Sequence, residues 1–92
     1  KGQSVTDIIA TLEERAKTHG DFTEVAFISQ TIKTLINQSK VDLPNEQREA
    51  LDLIASKIGR IIAGNNNEID HWRDVEGYAR LVRQRLERTE DK

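Results

Sequence analysis

Apolar residues recur along this chain at steps of three and four, and nowhere do they alternate over a strand-length run. Val5, Ile8, Ile9, Leu12 and Ala16 make a first stripe; Phe22, Val25, Ile28, Ile32, Leu35 and Ile36 make a second. Ile69, Trp72, Val75, Ala79, Val82 and Leu86 make a last one. A residue that recurs every three to four positions stays on one side of an α-helix, so each stripe predicts an amphipathic helix. The residues between the stripes are helix boundaries by chemistry. Ser4 can accept a hydrogen bond from a first-turn N–H, and Asp21 can do the same with Glu24 three residues on as a variant capping box. Gly20 suits a left-handed C-cap, Pro44 the first turn of a third helix, Gly64 its end, and Asn67 the cap of a fourth. The reading is an all-α chain of four helices, about 5–18, 22–38, 44–63 and 68–89, in a small antiparallel bundle with short loops. It has no repeat and no low-complexity segment.

The third helix departs from a simple stripe. Ala50, Leu51, Leu53, Ile54, Ala55, Ile58, Ile61, Ile62 and Ala63 cover a broad arc, wider than the ~100° that one buried face requires. Such an arc needs more than one neighbour, and we expect a homodimer to complete the cover. At 92 residues the chain has room for one domain, residues 1–92, and no second core. Charged residues make up 33% and the net charge is -2, which supplies no field directed at nucleic acid or anionic lipid. With no cysteine, disulfides and thiolate metal sites are excluded, which fits a cytoplasmic location. No apolar run approaches the ~20 residues of a bilayer span, so no membrane association is expected. The N-terminus carries neither a signal-peptide pattern nor an initiator Met, and the sequence does not tell whether residues precede Lys1.

Charge placement around the Gly64–Asn67 turn is orderly. In an antiparallel hairpin centred near residue 66, Lys57 and Arg60 fall beside Asp74 and Asp70, while Glu46 and Glu49 fall opposite Arg83, Arg85 and Arg88. Each of the two helices is acidic in its first half and basic in its second, which suits the helix dipole. Exposed pairs of this kind contribute only ~0–1 kcal/mol each. Their predicted effect is to fix register.

The segments RAKTHGDF (Arg15 to Phe22), LIASKIGRIIAG (Leu53 to Gly64) and DHWRDVEGYARL (Asp70 to Leu81) resemble a family of small phage and prophage proteins of unassigned function. More distantly, that family is similar to the all-α nucleotide pyrophosphohydrolases, the MazG-like and dimeric dUTPase group. The resemblance implies a helical phage accessory protein acting in the host cytoplasm. At its furthest reach it implies a magnesium site of E-x-x-E and E-x-x-D pairs on adjacent helices, where the enzymes cleave nucleoside triphosphates. Magnesium takes oxygen ligands in octahedral geometry and bridges to phosphate, so the two pairs must sit at one end of the hairpin. Here the only E-x-x-E, Glu46 to Glu49, opens the third helix, and Asp70 and Asp74 open the fourth. At 1.5 Å rise per residue the pairs lie ~20–25 Å apart in one chain. Lys57 and Arg60 stand where the first pair belongs, and His71-x-x-Asp74 replaces E-x-x-D. A site built from Glu46, Glu49, Asp70 and Asp74 would need a second copy.

Function follows from what remains. The leading expectation is a non-catalytic protein that binds a protein partner or self-assembles through helix faces, with no cofactor. The alternative is a divergent nucleotide-binding or hydrolysing protein in which Lys57, Arg60 and Tyr78 meet the ligand and the four carboxylates hold magnesium. A third reading uses Arg73, Arg80, Arg83, Arg85 and Arg88 against nucleic acid; interleaved Asp74, Glu76 and Glu87 and the pI of 5.7 weigh against it. His71 reads as an ion-paired surface histidine and His19 as a helix-end group suited to the dipole. Neither Ser29 nor Ser56 has a His-Asp partner implied by spacing. Trp72 falls on the apolar stripe and reads as core. Gly77, inside a helix at a cost of ~1 kcal/mol relative to Ala, implies close packing there.

Overall fold

The computed structural model describes residues 4–90, and they form four helices and no strand. These are α1 (Val5–His19), α2 (Phe22–Asn37), α3 (Asn45–Ala63) and α4 (Ile69–Glu90). The small all-α bundle read from the sequence is therefore the fold. Two caps form as their chemistry dictates. Ser4 Oγ accepts from the Asp7 N–H at 3.1 Å, and the Asp21 carboxylate accepts from the Glu24 N–H at 3.3 Å. Gly20 takes φ 86, the left-handed conformation that ends α1.

Gly64 ends α3, as expected, at φ -119. Two boundary details differ from expectation. Pro44 is the residue before α3 rather than part of its first turn, and its ψ of 157 is the extended conformation of an N-cap position. At the start of α4 the asparagine run folds on itself: Asn65 Oδ1 accepts from the Asn67 N–H at 2.9 Å. That turn displaces the helix start by one residue, and the Glu68 carbonyl receives the His71 N–H.

α3 lies in the middle of a single layer, with α2 packed on one flank and α4 on another; no Cα of α2 comes within 8 Å of α4. Small residues allow these approaches. Val25, Ala50 and Ala55 are the buried apolar side chains among the described residues, and a Cβ on Gly59 would stand 2.8 Å from the Val25 carbonyl oxygen. α2 and α4 thus use two sides of α3, as its broad arc required. A third side is bare of any helix, with Ile54 and Ile58 half-buried along it. At about 100° per residue, Leu51, Ile54, Ile58 and Ile62 share that side of α3, nearly opposite Arg60. A shallow groove continues it onto α4, joining Leu51 and Ile54 to Ala79, Val82 and Leu86.

By helical spacing Trp72 shares this side with Ala79 and Leu86, and its expected place in the core is corrected. It is 54% exposed, with its indole N–H donating to the Asn66 carbonyl at 2.8 Å. Its stripe does face an apolar surface, but only α3 supports it and nothing lies over the layer. The first helix is barer still. Residues 5–15 of α1 are all exposed, and the chain touches α1 again only near its C-terminal end.

Candidate functional site

Polar groups converge at the elbow where α1 meets the α3–α4 turn. The Thr18 carbonyl accepts two hydrogen bonds there, from the Asn65 N–H at 3.0 Å and from His71 Nε2 at 3.0 Å. A carbonyl can only accept, so the His71 proton sits on Nε2. His71 is 1% exposed, the most deeply buried large side chain among the described residues. The surface histidine expected at this position is corrected: the first turn of α4 faces the end of α1, and burial requires a partner that Thr18 supplies. Spacing could not show this, because the partner lies 53 residues away.

His19 stacks beside it, ring centroids 5.1 Å apart and planes at 42°. Burial holds the His19 imidazole below its ordinary value of 6.5, and the charges of Arg60, His71, Arg15 and Lys57 add to that effect. Its Nδ1 is buried with no protein partner. Gly20 closes the elbow by contact. A Cβ there would stand 2.3 Å from the Ala63 carbonyl oxygen and 2.7 Å from the Gly64 nitrogen. A cleft of about 540 Å³ lies in the crook, lined by Leu12, Arg15, His19, Phe22, Val25 and Arg60 among others.

Of the residues singled out by sequence, some meet and some do not. Lys57 Nζ reaches Asp74 Oδ2 at 2.7 Å, the pair that the hairpin register demands, and the Lys57 side chain is only 13% exposed. The hydrogen bond and charge of Lys57 hold the Asp74 carboxyl below the usual range. Arg85 reaches Glu46 at 2.9 Å at the far end of the same hairpin. Asp70 instead pairs with Arg73 at 2.9 Å, one turn along its own helix, which leaves Arg60 free to line the elbow cleft. Glu49 and Tyr78 line a second cleft with Glu46, Arg85 and Arg88, so Tyr78 does not join Lys57 and Arg60.

The magnesium ring does not form within one chain. Glu46, Asp70 and Asp74 each face a cation, and no three His, Cys, Asp or Glu side chains converge as a metal site among the described residues. The arginines of α4 are largely occupied too, with Arg73 on Asp70, Arg83 on Glu87 and Arg85 on Glu46. No protein-family model matches this chain, and no match is found among curated proteins or solved structures. No helix among the described residues is long and apolar enough to cross a membrane.

Proposed function

We propose that this protein is a non-catalytic helical assembly module that works by self-association through the bare side of the α2–α3–α4 layer. The observation that carries the reading is uncovered apolar surface in a chain otherwise folded to a definite register. A 10.5 kDa chain folded to ordinary compactness would expose about 5,400 Å². This one exposes 7230 Å². Its radius of gyration is 16.4 Å, against about 12 Å for a compact chain of this length. The excess of about 1,800 Å² per chain is in the range an obligate homodimer buries from each partner.

Leu51, Ile62, Trp72 and Leu86 are exposed large hydrophobics on that side, Ile62 at 66%, and others lie on α1 and α2. A contiguous apolar face of this kind is an interaction surface rather than ordinary scatter. The resemblance to small phage and prophage proteins fits an accessory role exercised through contacts rather than turnover.

Sedimentation equilibrium at about 100 μM, well above a micromolar dissociation constant, tests the reading. The expected result is a dimer mass for the native chain and a monomer mass for Ile62→Glu at unchanged helicity. A native chain that sediments as a monomer at that concentration overturns it.

A further inference from the structure

Among the apolar surfaces that lack cover in one chain, two are kept apart by the elbow. The first is the bare side of the layer. The second is the stripe of α1, where Val5, Ile8, Ile9 and Leu12 are all exposed. A chain with both could in principle close on itself by folding α1 over the layer. The elbow forbids it. Thr18 is held by Asn65 and by buried His71, and Gly20 is wedged against Ala63 and Gly64. These contacts lie on the Arg60 side of α3, and Ile58 and Ile62 lie about 200° around the helix from Arg60. α1 is therefore an arm fixed in direction. The molecule measures 55 Å along its longest axis. The longest helix, α4, accounts for ~33 Å of that, and α1 is ~22 Å long, so the arm overhangs the layer.

We propose that the arms are exchanged: α1 of one copy seats its Val5–Ile8–Ile9–Leu12 stripe on the bare side of a second copy's layer and receives that copy's arm in return. This deepens the self-association proposed above and rests on it. The exchange gives each layer the second layer that a helical domain needs to enclose a core. It is isologous, the same two surfaces meeting twice about a two-fold axis, so the assembly closes at two copies. A helix stripe also matches the target in kind, since both surfaces are apolar, aliphatic apart from Trp72, and neither presents a charge at its centre.

The test uses two full-length variants, Ile8→Lys in the arm and Ile62→Glu on the layer, with helicity followed by circular dichroism. Both positions are exposed in the single chain, so neither substitution disturbs its fold. Each variant alone is expected to sediment as a monomer, with association weakened roughly 100-fold by an uncompensated buried charge. Mixed in equal amounts they should recover a dimer. In that mixed pair, one arm–layer contact is native and the other sets the introduced lysine of the arm near the introduced glutamate of the layer as an ion pair. A dimeric Ile8→Lys beside a monomeric Ile62→Glu overturns arm exchange and leaves self-association standing. A mixture that stays monomeric also overturns the exchange. A native chain that is itself monomeric removes both proposals together.

Discussion

Gly20 and His71 show two kinds of legibility at the scale of single residues. Gly20 was readable, because a glycine after a helical stripe and before an Asp cap announces a left-handed end. The sequence did not say that its missing Cβ also admits the backbone of Ala63 and Gly64. Gly20→Ala should thus cost more than the conformational strain of ~1–3 kcal/mol for a non-glycine residue at φ 86, since the 2.3 Å approach to a carbonyl oxygen has no side chain to move aside. Urea unfolding checks it; a loss under ~1 kcal/mol is the contrary result. His71 was not readable, lying as it does in the polar string Asp70–Arg73–Asp74 with a partner in another helix. His71→Leu retains the volume but strips Thr18 of one donor, and a loss of ~1–3 kcal/mol is expected. Gly77 gives the opposite outcome. The packing expected there is not found, since a Cβ would meet nothing within 4 Å. Gly77→Ala should raise stability by ~0.5–1 kcal/mol.

The same division holds between elements. The α3–α4 register could be read from charge alone, and the pairs Lys57–Asp74 and Glu46–Arg85 are its realisation at the two ends of the hairpin. Arg60–Asp70 failed because Arg73, three residues along the same helix, reaches Asp70 without crossing between helices. The placement of α1 could not be read at all, since its stripe looks the same whether it faces its own chain or another. What fixes it is the elbow, whose stability should depend on pH through His19. His19 is surrounded by Arg15 of its own helix, Lys57 and Arg60 of α3, and His71 of α4, with Asp21 at the head of α2 as the one acid in its cleft. A histidine held below 6.5 in the fold binds its proton more readily when unfolded, so its neutral form favours the fold. That contribution is intact above pH 6.5 and declines as pH falls below it. Asp74 acts in a lower window, its share being present above the ordinary carboxylate value of 3.8 and lost as pH falls through its depressed one. Urea midpoints between about pH 7.5 and 5 should therefore decline for the native chain and decline less for His19→Gln. An equal slope in both would remove His19 from the account.

For the whole molecule, four helices and their order were legible because periodicity and caps are local, whereas the cover of the apolar faces was not, because cover is a property of the assembly. The width of the α3 stripe was the one hint, and it left open which side would stay bare. Trp72 turns that open question into a measurement. It is the chain's single tryptophan, half exposed in the isolated chain, and helical spacing puts it within about 40° of Ala79 and Leu86 on the bare side. If a second copy covers that side, the indole leaves water on association, and its emission should move to shorter wavelength. Dilution from about 100 μM to the nanomolar range should then shift the emission to the red, with a midpoint that reports the dissociation constant. The unfolding temperature should fall over the same dilution, because a partner that binds only the folded chain stabilises it by mass action. Ile62→Glu should emit at the red position at every concentration. Emission that stays constant while the sedimenting mass changes would show association through some other surface and would leave Trp72 facing water in the assembly.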